Sequence, residues 1–343
     1  MNNYSNFLNH FSGFFLQKKL KHLILHVTNH CNFRCSHCFV DFVNPKKDLK
    51  FEDYLEVSKK INNLFWLDVA GGEPFLRKDL YKIINLFKKQ IVSIPTNGWL
   101  EKQITDQIEL IDKKNTELVI NLSLDGLEKT HNVIRKNEQS WEKVWTTFET
   151  LKKYKNVKTR FITCIHDGNK NEIIPLMKIV QKSGTDFHSV ILLRGDPLDP
   201  TVKLPPMDEL KKLSVEIFNI LENYKYGQNS ATAYFLKNYH RYMWKSSIKT
   251  IEQQTQIIPC LAGQSSMVIW GDGEMSSCEM LPGFGNIKKE NIASLVNGEK
   301  HKEQVKKIKN KECHCTHNCA LLTSILFNPK KWANLAHQKK PGL

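Results

Sequence analysis

Three of the nine cysteines, Cys31, Cys35 and Cys38, stand in the frame C-x3-C-x2-C directly after the apolar run Leu23-Ile24-Leu25-His26-Val27-Thr28. Three thiolates can hold three irons of a 4Fe–4S cubane and leave the fourth iron without a protein ligand. Such clusters normally take four cysteines, so a three-cysteine set implies an open coordination position, which is where a metal does chemistry. Zinc is the competing occupant. It closes tetrahedrally and usually draws on paired C-x2-C or Cys/His units. His37 is available as a fourth ligand but sits cramped between Cys35 and Cys38.

A second set lies far downstream. Cys260, Gly273 and Cys278 form C-x12-G-x4-C, and Cys313, Cys315 and Cys319 form C-x-C-x3-C. Gly271-Asp272-Gly273 reads as a hairpin turn that brings Cys260 and Cys278 toward one place. His314 and His317 keep zinc open here too. Clusters of cysteines joined by short spacers read as metal ligands rather than disulfides, which implies a reducing, cytoplasmic setting. Cys164 stands alone. A free buried cysteine is mainly a small apolar residue, but pointed into a barrel it would be a hydrogen-atom donor.

The elements that must position these groups alternate along the chain. Strands are expected at 23–28, 64–70, 91–96, 118–124, 158–166 and 189–193. Helices are expected at 51–63, 79–89, 101–113, 140–154, 172–183 and 206–223. This rhythm predicts an α/β fold with a parallel sheet, a partial (β/α)6 TIM-like barrel, and the later change of composition marks a small C-terminal cysteine-rich domain. The expected divisions are an N-terminal extension at 1–20, the barrel at 21–223, a helical linker at 224–257 and the cysteine-rich domain at 258–343. In parallel α/β folds ligands gather at the carboxyl ends of strands. Short motifs fall there: Gly71-Gly72-Glu73-Pro74, Thr96-Asn97-Gly98, and Ser123-Leu124-Asp125-Gly126 followed by His131 and Arg135.

Taken together these motifs resemble the radical S-adenosylmethionine (SAM) superfamily, in the branch with a C-terminal SPASM or twitch domain. The resemblance covers about 21–321. It implies that Cys31, Cys35 and Cys38 hold a SAM-binding 4Fe–4S cluster and that Gly71, Gly72, Glu73 and Pro74 receive the SAM amino group. Asn97 marks the third strand's end, and Ser123 and Arg135 meet the SAM carboxylate or ribose. Arginine suits a carboxylate because its planar fork donates two parallel hydrogen bonds. Asp125 acts on substrate or on loop geometry. Asn169, Asn171 and the backbone at 192–194 fall where the family contacts adenosine, although asparagines at helix starts are also plain caps. His37 departs from the aromatic residue the family often has before the third cysteine.

Five C-terminal cysteines are too few for the two clusters of a full SPASM domain. The expectation is one auxiliary 4Fe–4S cluster on Cys260, Cys278 and Cys319, with Cys313 or Cys315 as the fourth ligand. The implied activity is reductive cleavage of SAM to a 5′-deoxyadenosyl radical that abstracts a substrate hydrogen. A flavodoxin- or ferredoxin-like protein is the expected reductant. The substrate reading is oxidative modification or cross-linking of a ribosomal peptide, although only about twenty residues precede the barrel and no separate leader-binding domain is visible. The alternatives are a dehydrogenase or epimerase acting on a sugar, aminoglycoside or other small metabolite, and a zinc-dependent nucleic-acid-binding protein.

Composition narrows the partners. Net charge is +15, from 50 Lys and Arg against 35 Asp and Glu. The lysines are scattered, which reads as a solvated basic surface rather than a nucleic-acid patch. No segment approaches the roughly 18 apolar residues of a membrane span, and no secretory signal is present. The stretch 1–21, with Phe7, Phe11, Phe14 and Phe15 before three lysines, is either an amphipathic membrane-surface helix or, by preference, one that packs on the barrel.

Overall fold

The computed structural model describes residues 3–17, 19–40, 46–224, 226, 230–336 and 338. In chain order the first half runs α1 (Asn3–Gln17), β1 (His22–His26), α2 (Phe51–Lys60), β2 (Leu64–Ala70), α3 (Leu80–Asn85), β3 (Lys89–Thr96), α4 (Glu101–Leu110), β4 (Glu117–Ser123), α5 (Glu128–Arg135), α6 (Ser140–Leu151), β5 (Val157–Ile165), α7 (Ile173–Lys182), β6 (Phe187–Leu192) and α8 (Met207–Leu221). There follow α9 (Ser230–Gln253), β7 (Ser266–Ile269), β8 (Glu274–Ser276), β9 (Gly285–Asn286), α10 (Ile292–Asn297), α11 (Glu299–Lys309), α12 (Asn318–Leu326) and α13 (Pro329–Ala336).

All six expected strands form, and β1 to β6 pair in parallel in chain order. Successive side chains on a strand face opposite ways. On β5, Phe161 turns outward onto Phe148 and Trp145 of α6, while Lys158, Arg160, Ile162 and Cys164 turn into the barrel. The outward rows of β1 to β4, among them Leu23, Leu25, Leu67, Val69, Val92, Ile94, Ile120 and Leu122, are fully buried in the main core. Their alternation with inward polar residues such as Asp68, Ser93 and Asn121 is why the barrel interior is a chamber rather than a packed core.

Three features differ from the expectation. The third helix ends at Asn85, because the chain must already be extended at Lys89 to pair with Leu64. Residues 128–135 form α5, which ends on left-handed Lys136 and carries both His131 and Arg135. The C-terminal strands do not make a separate sheet. β7 pairs in parallel with β1, and β8 and β9 follow antiparallel, giving one nine-stranded sheet ordered β6-β5-β4-β3-β2-β1-β7-β8-β9. The Gly271-Asp272-Gly273 hairpin is as expected, with Gly273 at φ +91°. Among the described residues β6 and β9 have no further strand partner, so the barrel is not closed. Helices α9 and α12 line the cavity with Tyr239, Met243, Cys319 and Leu322.

The N-terminal helix packs on the protein. Phe14 meets Phe327, His10 meets Phe65 and Phe11 meets Trp332, with ring centroids 5.2, 5.6 and 4.9 Å apart. Among the described residues no helix is long and apolar enough to cross a membrane.

Candidate active site

The loop after β1 presents Cys31, Cys35 and Cys38 to a cavity of about 1390 Å³ that runs through the barrel. Its shape is held by its own backbone: the Cys38 amide donates to the Cys35 carbonyl at 3.1 Å, and Arg34 donates to the Cys31 and Phe33 carbonyls. Outside help comes from Ser36 donating to Ile134, and from Leu198 and Asp199 donating to Cys38 and Ser36. The Phe33 amide donates to the Cys31 sulfur at 3.3 Å and Arg135 to the Cys35 sulfur at 3.5 Å. Burial pushes the Cys31 thiol up to about 12 and raises Cys35 and Cys38 as well. Thiolates here need a compensating cationic centre, which iron provides.

Gly71 and Gly72 are glycines for a reason the sequence did not disclose. A Cβ on Gly71, which sits at φ +139°, would lie 2.4 Å from the Thr28 carbonyl oxygen, and one on Gly72 would lie 2.1 Å from that of His30. The end of β2 thus backs directly onto the cysteine loop, and the Gly72 and Glu73 amides donate into it. Glu73 is buried and accepts from Thr96 Oγ1 at 2.8 Å, the Asn97 amide at 2.8 Å and the Phe75 amide at 3.3 Å. Burial nevertheless pushes its carboxyl up to about 7 against those donors. Pro74 opens the short 3-10 turn that fixes this corner. Asn97 reaches across to Asn32 of the loop at 2.8 Å, and Ser123 lines the cavity at the end of β4.

Asp125 and Arg135 form a buried ion pair. Burial would raise the Asp125 carboxyl, but Arg135, with His37 and His131, holds it well below the usual range. Asp125 also accepts the Cys164 amide at 2.9 Å, and its own amide donates to His131 Nδ1. In this structure Arg135 is engaged by Asp125 and the Cys35 sulfur. His37 lies 3.8 Å from Asp125 and stacks on His166, so it does not join the three cysteines. Asn169 ties the Asp125 and Cys164 carbonyls together at 2.8 Å each. Cys164 faces the cavity, its thiol pushed by burial up to about 12.

The structure redraws the second set. Cys278 and Cys315 hydrogen-bond, and Cys260 lies within electrostatic reach of Cys313 and Cys315. Gln256 clasps this group, donating to the Cys313 and Ile308 carbonyls at 2.9 Å each and accepting the Cys260 amide at 3.1 Å. The hydrogen bond to Cys278 makes Cys315 the acidic member of the pair. Cys319 is elsewhere. His317 caps α12, and the helix's first turn carries Cys319 round to Asp68 inside the barrel, where burial, Asp68 and Glu279 raise its thiol. The structure places Cys260, Cys278, Cys313 and Cys315 together, whereas Cys319, expected as an auxiliary ligand with Cys313 or Cys315 as the fourth, lies apart on the barrel side. His317 and His26 both hydrogen-bond to buried Glu279, which lines the cavity. The sequence reading missed Glu279, and only its place beside Cys278 pointed to it.

Among the described residues no three His, Cys, Asp or Glu side chains converge closely enough for one metal ion. Thiolates around a cubane are spread over a cluster and bind different irons, so the two cysteine groups fit that occupant: three thiols line a chamber, and four are gathered outside its lining.

Residues 25–180 match the family model of the radical SAM superfamily, and residues 260–320 match that of an iron–sulfur cluster-binding domain, SPASM. The chain is 27% identical over 235 residues to a GTP 3′,8-cyclase of Helicobacter pylori, spanning 63% of this chain and 69% of that protein. It is 37% identical over 122 residues to the enzyme of that name from Campylobacter jejuni, spanning 32% and 37%. Among solved structures, native anSMEcpe with bound AdoMet and Cp18Cys peptide aligns with a TM-score of 0.61 at 17% identity, covering 93% of this chain and 98% of that one. SuiB of Streptococcus suis bound to precursor peptide SuiA aligns with a TM-score of 0.64 at 14% identity, covering 89% and 72%. At such identities these structures speak for the fold.

Proposed function

Because this chain belongs to the radical SAM superfamily and carries a C-terminal SPASM domain, we propose that it oxidatively modifies or cross-links a ribosomal peptide. Reductive cleavage of SAM to a hydrogen-abstracting 5′-deoxyadenosyl radical is the chemistry that a cluster on Cys31, Cys35 and Cys38 supplies. Glu73 attracts the SAM ammonium, with Gly71, Gly72 and Pro74 holding the loop against it. Asn97 and Ser123 complete the strand-end surface. Asp125 keeps Arg135 oriented toward Cys35 and the SAM carboxylate. The barrel walls exclude water from the reacting groups. Cys260, Cys278, Cys313 and Cys315 would hold the auxiliary cluster, whose chemistry would be to accept an electron. The barrel at 21–223, the linker at 224–257 and the cysteine-rich part at 258–343 are the working divisions.

The observation that carries this reading is the arrangement around one chamber: three thiols lining one end of it, and four more grouped outside its lining, next to the wall residue Glu279. The cavity exceeds the ~300–1,000 Å³ of ordinary small-molecule pockets, which supports a substrate such as a peptide segment entering beside SAM. Two fold neighbours were solved with peptides. The reductant is a flavodoxin- or ferredoxin-like protein.

A second reading, an epimerase or dehydrogenase acting on a small metabolite, is favoured by two thiols that face the chamber, Cys164 and Cys319. A reduced thiol there would return a hydrogen atom to a substrate radical. Anaerobic assays with SAM, reductant and peptides encoded beside the gene test both. Peptide-dependent 5′-deoxyadenosine release with loss of two hydrogens from the peptide supports the first. Deuterium uptake from heavy water with unchanged substrate oxidation state supports the second. SAM cleavage that no peptide stimulates overturns the peptide reading.

A further inference from the structure

We propose that the lower half of the barrel chamber is a recess for an anionic group of the substrate, held by the guanidinium of Arg160. The inference rests on reading that chamber as the substrate site. Arg160 faces inward from β5, four residues below Cys164. At about 3.3 Å per residue that is ~13 Å along the strand, a level well removed from the cysteine loop.

The case is one of unbalanced charge. Among the described residues the carboxylate in ion-pair reach of Arg160 is Glu117, at 3.9 Å, and Glu117 is also held by Lys158 at 3.0 Å. One carboxylate therefore serves two cations. Other acids nearby are already engaged: Asp68 accepts from His22 at 2.8 Å and Trp66 at 2.9 Å, and Asp186 accepts the Thr159 amide at 2.9 Å. Arg160 Nε is buried and has no hydrogen-bond partner among the described residues. Burying a donor without an acceptor costs free energy, and burial also lowers the Arg160 pKa against the pull of Glu117. A cation kept in so unfavourable a setting, with its planar donor fork unfilled and opening on a large cavity, is suited to an incoming acceptor. Carboxylate and phosphoryl groups share the required geometry. On a peptide the first is an acidic side chain or the C-terminus.

The test is calorimetric titration of the cluster-loaded full-length protein, without SAM and at low ionic strength. Glutarate serves as the carboxylate probe and inorganic phosphate as the phosphoryl probe. One saturable site is expected for at least one probe, and which probe binds tighter identifies the source of the anion. Arg160→Gln should weaken that site about tenfold or more, and Arg160→Lys should recover part of the loss. Glu117→Gln removes the competing carboxylate and should tighten binding, which keeps the proposal open to refutation if Arg160→Gln proves misfolded by circular dichroism. Failure of both probes to saturate, or equal affinity in wild type, Arg160→Gln and Glu117→Gln, would overturn it. Deoxyadenosine release plays no part in this readout, so a failed recess and a failed enzymatic reading are told apart.

Discussion

The two cysteine groups use the same ligand chemistry to opposite ends. The loop after β1 offers three thiols and turns them toward a large cavity; the C-terminal group offers four, held by Gln256 and packed with Ala262 and Ile308. The difference of one thiol decides whether a cluster can bind a small molecule at its metal or only exchange electrons. Their settings differ in the same sense. Sulfur donors in the first group include a charged guanidinium, Arg135 on Cys35, whereas Gln256 and the Ala262 amide serve the second with neutral donors.

The sharpest way to break this comparison is to remove each group in turn. Protein reconstituted without oxygen should hold about eight irons, and Cys31→Ala/Cys35→Ala/Cys38→Ala should keep about four and lose all SAM cleavage. Stoichiometric zinc without iron in the wild type would end the argument. Next in size, Cys260→Ala should fall to about four irons, still release deoxyadenosine and form no oxidised product. Cys319→Ser should retain about eight irons; a drop to four would return Cys319 to the auxiliary site and undo the grouping drawn from the structure.

Smaller effects separate the polar support of the first group. Burial favours protonated Glu73 in the free protein, whereas an ammonium favours the carboxylate. Wild-type SAM affinity should therefore rise with pH up to about 7 and fall by roughly tenfold for each unit below it. Glu73→Gln should bind SAM about tenfold more weakly at pH 8 and lose this pH dependence; a profile identical to wild type would remove Glu73 from the SAM site. The smallest change expected is Arg135→Lys. It keeps a cation beside Asp125 but loses the fork, so thermal denaturation should register a loss of about 1–2 kcal/mol. A loss of about 3–5 kcal/mol, the cost of a stranded buried charge, would mean that lysine cannot reach Asp125.

How much of this was legible in the sequence follows from the range of the forces involved. Strand positions came from short apolar runs alternating with helical patterns, which are local, whereas which face of β5 turns inward did not. The three-cysteine loop was legible because its ligands lie within eight residues of one another. Cys319 was not: residues two apart in an extended chain share a face, which groups Cys313 with Cys315, but the onset of α12 after His317 rotates Cys319 away, and cysteine spacing alone does not announce a helix start. Gly71 and Gly72 stood out in the sequence only as part of a strand-end motif; that they pack against the cysteine loop's backbone is a tertiary contact. The pairing of β7 with β1 joins residues more than 240 positions apart, and no local pattern encodes it.

That pairing has a consequence for how the molecule comes apart. β1 is an interior strand, hydrogen-bonded to β2 on one side and to β7 on the other. A chain ending before Ser266 would leave β1 as a bare edge, with a row of unpaired amides and carbonyls beside the cysteine loop, the kind of surface on which chains aggregate. The two segments that match separate family models are therefore not independent folding units. Heating should melt them in a single cooperative transition, and amide hydrogens of β1 and β7 should exchange at one common rate, set by global opening.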